Sequence, residues 1–319
     1  MQGPATESSL GRVVSTSLDA VFRTTSELAL PRPEDDAARA AALPFGGGTP
    51  KVSVVVPALN EALNLSHVLP AIPSWVHEVI LVDGDSSDAT VDVALSLCPG
   101  LKVVSQGGRG KGNALRTGFL AASGDIIVML DADGSTLPKE IPAFIGALMA
   151  GADFAKGSRF AQGGGTEDIS WFRWLGNTGF VVLGNLLFRS NYTDLCYGYN
   201  AFWRSHLGLL GLDADGFEIE TMMNLRALSR GLRVVEIPSF EARRKFGNSR
   251  LRALPDGFRV LRTILGERLS SSTRRWEARL ARRRRLDAYP LIQEEGPPKE
   301  AVGAAVTPAV APILVIPEP

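Results

Sequence analysis

Cysteine, histidine, net charge and long apolar runs are all scarce in this chain. The two cysteines, Cys98 and Cys196, lie far apart without metal-ligand spacing, which excludes a disulfide framework and a zinc site and suits a reducing cytosol. His67, His77 and His206 stand in no ligand-like or base-like context and read as structural. A formal net charge of zero favours no partner through whole-chain electrostatics, so no nucleic acid is expected on that ground. No segment reaches the roughly 18 to 20 apolar residues of a spanning helix. The best stretch, Gly179 to Phe188, is too short and contains Asn185. Residues 1–30 lack the apolar core of a signal peptide. The expectation is a protein that is soluble or rests on a membrane without crossing it.

What is present is ample apolar content, 45% of 319 residues, in an alternating order. Residues 1–49 show no sustained periodicity and read as a mostly flexible arm with a short helix near Ser17–Leu30. From residue 50, "KVSVVVPAL", "EVILVDG", "LKVVSQ", "DIIVMLDADG" and "ADFAKGSRF" read as strands, each separated from the next by a helical pattern. Ser87 or Asp88 is the expected cap of "DATVDVALSL", and Pro138 starts the helix after the fourth strand. This alternation predicts an α/β fold, a mainly parallel sheet with helices on both faces, over residues 50–268. A basic amphipathic helix is expected at 269–285, and a disordered tail rich in proline and alanine at 286–319.

Ligands of such sheets bind at the carboxyl ends of the strands. Asn60–Glu61, Asp83–Asp85 and Asp131–Asp133 all fall there, which predicts an acidic site on one edge. The sharpest signal is "IVMLDADGSTL", residues 127–137. Two carboxylates this close repel and need a cation or a shared proton. A hard cation such as Mg2+ or Mn2+ accepts carboxylate oxygens and keeps places for phosphate and water. Asp131 and Asp133 would then be metal ligands of a nucleotide-sugar transferase. The alternative is a haloacid-dehalogenase-type phosphatase with an aspartate nucleophile. That type places its aspartate on the opening strand, whereas three strand–helix units precede Asp131, and its later acidic pair would have to be Asp213 and Asp215. The glycine-rich "QGGRGKGNALRTG" is neither a Walker loop nor a dinucleotide fingerprint; its glycines permit close backbone approach, and Lys111 suits phosphate charge.

The order of "VVVPALNE", "LVDGDSSDAT", "GRGKGNALRTG", "MLDADGS", "KGSRF", "TDLCYGYNAFWR", "GFEIET" and "EIPSFEARRKFGNSRL" resembles the family 2 glycosyltransferases, most closely the dolichyl- and polyprenyl-phosphate sugar transferases. The resemblance implies a GT-A fold, a nucleotide-diphosphate sugar donor of the GDP-mannose or UDP-glucose type, Mg2+ or Mn2+, and inversion at the anomeric carbon. It puts Pro57 and Glu61 at the nucleotide and Asp83 near the base. Asp131, Ala132 and Asp133 span ribose, diphosphate and metal, Asp133 counting also as catalytic, and Ser135 can add a metal contact. Arg159, Arg244 and Arg250 match phosphate-binding basic residues. Two departures bear on the nucleotide: Leu59 replaces a tyrosine that would stack on the base, and the second aspartate of "VDGDS" is Asp85, one place later. A hydroxyl acceptor requires a general base, for which Asp194 and Glu220 are candidates. A phosphate acceptor is already an anion and requires no strong base.

Trp171, Trp174 and Trp203 read as core or interface aromatics. From Arg243 to Arg285 fifteen Lys and Arg oppose three acids, a local net charge of +12, with Ile264, Leu265, Leu269, Trp276 and Leu280 among them. That pattern suits an anionic membrane surface better than a nucleic acid. Together with the resemblance it predicts a lipid-phosphate acceptor met at the cytoplasmic face of a membrane, a soluble acceptor being the alternative.

Overall fold

The computed structural model of the chain describes residues 49–287, with side chains to residue 270. The expected N-terminal arm, its short helix and nearly all of the C-terminal tail lie outside the described residues. Six strands and the helices between them run in chain order: β1 Val52–Ala58, α1 Ala62–Val68, β2 Glu78–Asp83, α2 Thr90–Leu97, β3 Lys102–Ser105, α3 Lys111–Ala121, β4 Ile126–Met129, α4 Ile141–Met149, β5 Phe154–Ser158, β6 Gly165–Thr166 and α5 Trp171–Phe188. There follow β7 Asn200–Trp203, the short α6 Leu207–Leu210, α7 Glu218–Ser229, β8 Val234–Pro238, β9 Phe240–Glu241 and α8 Ala253–Asp287. The chain divides into two compact units, Met1–Ser272 and Thr273–Pro319. Of the second, only the helical residues 273–287 are described. A single helix thus crosses position 268, where the composition changes.

The main sheet has the order β3-β2-β1-β4-β7-β5-β8. Its pairs are parallel except that β7 runs antiparallel to both β4 and β5. The alternation of β1 explains the layering. Val54 and Val56 point into a core shared with Leu65 of α1 and with Phe144 and Leu148 of α4. Val55 points the other way, onto Leu115 and Phe119 of α3 and Met223 of α7. Both faces of the strand are buried, so β1 reads as a continuous apolar run. A third apolar cluster joins Phe180, Val181 and Leu183 of α5 to Val260 and Ile264 of α8.

One local expectation is corrected. The cap position of α2 is Ala89, which has no side-chain cap bond. Asp88 instead accepts the backbone N–H of Thr90 at 3.0 Å, and Ser87 donates its own N–H to Asn60. The "GDSSDA" stretch is occupied in tying the end of β2 to the end of β1. Both cysteines are free and half-buried. Among the described residues no helix is long and apolar enough to cross a membrane.

Candidate active site

The in-register ends of the parallel strands build the site. Ala58 pairs with Asp83, and Leu130 donates its N–H to Val55 at 3.0 Å, so the chain leaves β1, β2 and β4 on one side of the sheet. Beyond β4 the "DADGS" turn closes on itself. Asp131 donates its backbone N–H to Thr136 Oγ1, and the N–H and hydroxyl of Ser135 donate to Asp133 Oδ1 at 2.9 and 2.6 Å. Gly134 takes φ 77°, a conformation that side chains disfavour. Ala242 then donates to the Ser135 carbonyl, which docks the "EARRKFG" segment against the turn.

A cavity of about 630 Å³ opens over this edge, within the range of ligand pockets. Pro57, Glu61, Asp85, Lys111, Asp131, Ala132, Asp133, Ser135, Arg159, Glu220, Arg244 and Arg250 all line it. Asp83 and Asp194 do not. Asp83 lies just beneath, accepting from Ser86 N–H, with its Oδ1 buried and without a hydrogen-bond partner. Asp85 holds φ 68° and is exposed. Leu59, the residue in the tyrosine's place, lines the cavity and accepts a hydrogen bond from Arg250 at 3.2 Å.

Each carboxylate of the turn faces a cation. Lys111 Nζ lies 2.6 Å from Asp131 Oδ1 and 2.6 Å from Glu220 Oε1. Arg244 reaches Asp133 Oδ2 at 2.8 Å and Glu61 Oε1 at 2.9 Å. Burial alone would lower the Lys111 pKa, but Asp131 and Glu220 outweigh it and hold the ammonium charged. Burial pushes Asp131 up to about 6; Lys111 opposes the rise and the negative charges of Asp133 and Glu220 add to it. An acidic centre under this strain suits one more cation. Among the described residues no cluster of three His, Cys, Asp or Glu forms a complete ligand set. Two carboxylates with the remaining positions left to phosphate and water is how Mg2+ and Mn2+ are commonly held, so the residues present fit such an ion. Ser135 directs its hydroxyl at Asp133, which orients that carboxylate.

Arg159 and Asp194 form a different kind of contact. Arg159 grips Asp194 through Nε at 2.7 Å and Nη2 at 3.0 Å, and reaches Glu241 Oε2 through Nη1 at 3.1 Å. All three are buried. Burial raises the Asp194 pKa, but the guanidinium overrides it and holds the carboxyl below its ordinary range. Glu241 was not singled out from the sequence, although it stands beside three basic residues in "FEARRK". Gly198 was missed too: a Cβ there would overlap the Glu220 carboxylate and stand 2.9 Å from Lys111 Nζ. The glycines of "GRGKG" serve a neighbour within the chain. Side chains at Gly110 and Gly112 would collide with the backbone of Asp215 and Ala214, and Gly112 N–H donates to the Asp215 carbonyl at 2.8 Å. The second "DADG" is therefore a loop that seats the Lys111 helix, with Asp215 paired to Arg116 and Asp213 to Arg226.

Residues 53–210 match the family model described as glycosyl transferase family 2. The polyprenol monophosphomannose synthase of Mycolicibacterium smegmatis is 30% identical over 220 residues, 64% of this chain and 82% of that protein. The chain belongs to glycosyltransferase family 2. A further family relative, the dolichol-phosphate mannosyltransferase of Pyrococcus furiosus, is 32% identical over 211 residues, 63% of this chain. The matched part spans only 59% of that relative's own length. Among solved structures, the glucosyl-3-phosphoglycerate synthase of Mycobacterium tuberculosis with Mn2+, uridine diphosphate and phosphoglyceric acid has a TM-score of 0.57 at 25% identity, over 75% of this chain and 87% of that one. The fold is GT-A, with the mainly parallel sheet and two helical layers that the sequence implied. Family membership removes the phosphatase reading of "DADGS".

Proposed function

We propose that this family 2 glycosyltransferase moves a sugar from a nucleotide diphosphate to a polyprenyl phosphate, with inversion, using Mg2+ or Mn2+ held by Asp131 and Asp133. The observation that carries the reading is the meeting of both carboxylates with Lys111 and Arg244 in one cavity at the strand ends. A bound divalent ion would supply Lewis-acid stabilisation of the charge that develops on the departing diphosphate. Lys111 and Arg244 add fixed positive charge in the same place, where a half-buried setting strengthens it. Pro57, Leu59 and Asp85 line the part of the cavity left to the nucleobase, and Arg250 donates to the Leu59 carbonyl there. The named activities of the mannosyltransferase relatives support a polyprenyl-type phosphate acceptor.

The proton chemistry supports a phosphate acceptor as well. Both oxygens of Asp194 are engaged by Arg159, and Glu220 is engaged by Lys111, so neither stands ready to take a proton. An acceptor that is already an anion needs no such base. In this reading Asp194 and Arg159 are positioning residues that brace the rim of the cavity from behind, and Glu220 aims Lys111. A soluble phosphorylated acceptor is the second reading; it draws on the phosphoglyceric acid bound by the mycobacterial synthase. The protein would work at the cytoplasmic face of a membrane as a peripheral enzyme.

The deciding experiment follows label from GDP-mannose and UDP-glucose into polyprenyl phosphate, polyprenol, phosphoglycerate and free sugars, with Mn2+ and with excess EDTA. Label in polyprenyl phosphate alone, lost with EDTA, is the expected result. Equal use of polyprenol, or label only in soluble products, overturns the acceptor assignment. Full turnover in EDTA overturns the metal assignment.

A further inference from the structure

Helix α3, which carries Lys111 into the donor cavity, begins without a cap of its own. Its N-cap position is Gly110, which has no side chain to offer. The first N–H groups of a helix need acceptors from outside its own ladder, and an N-cap side chain usually supplies one to the second or third residue. Here the acceptor is a remote carbonyl. Asp215 accepts from Gly112 N–H at 2.8 Å and from Asn113 N–H at 3.3 Å. A Cβ at position 110 would overlap that same oxygen, so the glycine makes room for a cap supplied by another part of the chain. Residues 107–110 ahead of the helix are exposed, and α3 has no acid in its first turn. A cation at the first helical position works against the helix dipole, which leaves the placement of Lys111 to its tertiary partners.

The loop that carries Asp215 is held in turn by Arg226 of α7. Nε and Nη2 of Arg226 both donate to Glu267 Oε1 of α8, at 2.8 and 2.7 Å. Nη2 also donates to Asp213 Oδ1 at 2.8 Å. Nη1 donates to the carbonyls of Leu210, at 3.3 Å, and Gly211, where α6 ends and the loop begins. Arg226 and Glu267 are both buried. Glu220, which bonds the Lys111 ammonium, lies six residues earlier on the same helix. Helix α7 therefore holds Lys111 twice, its Nζ directly and its backbone through the loop.

We propose that Arg226 is a positioning residue of the donor site. It fixes the 211–216 loop so that the Asp215 carbonyl caps α3 and sets Lys111 at the diphosphate. This role rests on the reading of Lys111 as a charge at the departing diphosphate. A tie between α7 and α8 alone would need only Glu267, yet three of the five hydrogen bonds of Arg226 go to the loop and the turn before it. The planar fork suits that task, since a lysine ammonium is a point charge without fixed donor directions. Arg116 adds an exposed tether from α3 to the Asp215 carboxylate at 2.6 Å.

The test uses the full chain and four variants: Lys111→Met, Arg226→Gln, the double variant Lys111→Met/Arg226→Gln, and Asp213→Ala. The Asp213 side chain is 71% exposed, so its removal loosens the loop without leaving a buried charge, even if Arg226→Gln folds poorly. Affinity for GDP and for UDP, each with Mn2+, is measured by titration calorimetry. Amide hydrogen exchange is followed by mass spectrometry. Exchange in the first turn of α3 should quicken in Arg226→Gln and, to a lesser degree, in Asp213→Ala, with β1 and α1 unchanged. Nucleotide affinity should fall roughly three- to thirtyfold in Arg226→Gln and roughly ten- to a hundredfold in Lys111→Met. The double variant should match Lys111→Met within about twofold, because Arg226 acts through that residue. Losses that multiply in the double variant, or parent-like exchange at α3 in both loop variants, overturn the proposal. Faster exchange throughout Arg226→Gln with parent-like exchange in Asp213→Ala overturns it as well and makes Arg226 a support of the fold alone. Parent-like nucleotide affinity in Lys111→Met would instead count against the charge role of Lys111 in transfer, and exchange at α3 still decides the role of Arg226.

Discussion

Replacing Arg159 by alanine removes the cation from a buried site that holds two carboxylates, Asp194 and Glu241. The guanidinium is 4% exposed and makes hydrogen bonds to both acids through all three of its nitrogens. Breaking a buried pair from one side costs ~3–5 kcal/mol, because the charge left behind is buried without its counter-ion. For a domain of this size that corresponds to a fall in Tm of roughly 6–20 °C. The cost should also depend on pH. In the parent chain the Asp194 carboxyl is held below its ordinary range, so its contribution is present above the unfolded pKa and is lost as pH falls through the folded value. Without the Arg159 guanidinium, burial is opposed only by Lys156 and backbone N–H donors, so the Asp194 pKa rises relative to the parent and the variant recovers part of its lost stability as pH falls and Asp194 takes a proton. Urea denaturation of both proteins at pH 8 and pH 5.5 measures the gap, which should narrow at the lower pH. A parent-like Tm combined with a large loss of donor affinity would refute this reasoning and make Arg159 a ligand contact.

Arg244→Ala should cost less stability than Arg159→Ala, because its partners Glu61 and Asp133 border the open cavity and keep some access to water, and should weaken nucleotide-sugar binding roughly ten- to a hundredfold, as measured by titration calorimetry, since a charge-assisted contact to the donor is lost; unchanged donor affinity would remove it from the phosphate site. Asp131→Asn and Asp133→Asn should each abolish nearly all transfer and the tight Mn2+ binding seen by electron paramagnetic resonance; retained tight binding in either would displace the metal site. Because the Asp131 pKa is raised to about 6, protons should compete with Mn2+ below that pH, and affinity should fall about tenfold per unit there; a flat profile from pH 7 to 5 contradicts this. Gly198→Ala should disturb the Glu220–Lys111 pair at a cost of ~1–3 kcal/mol in stability and a lower kcat; a fully active, fully stable variant would mean that the neighbours yield freely.

The placement of the acidic residues on one edge was legible without coordinates, because strand ends follow from where an apolar run stops. Pro57, Asp83 and Asp131 each lie at or just past the end of such a run, and parallel pairing brings the ends together. The two helical layers were legible for the same reason: a strand buried on both faces, as β1 is, must be covered twice. Family membership rests on motif order, which is likewise a property of the chain alone. What packing decided is which charges meet. Arg159 looked like a phosphate ligand from its "GSR" turn, yet its partners are residues 35 and 82 positions away, and no local pattern encodes a choice made across the core. The "GRGKG" glycines looked like a phosphate cradle, but at Gly110 and Gly112 the close backbone belongs to residues 214–215. Periodicity marks the helices α5 and α8; only the tertiary fold sets the two helices side by side, because adjacency of two helices distant in sequence depends on the residues buried between them.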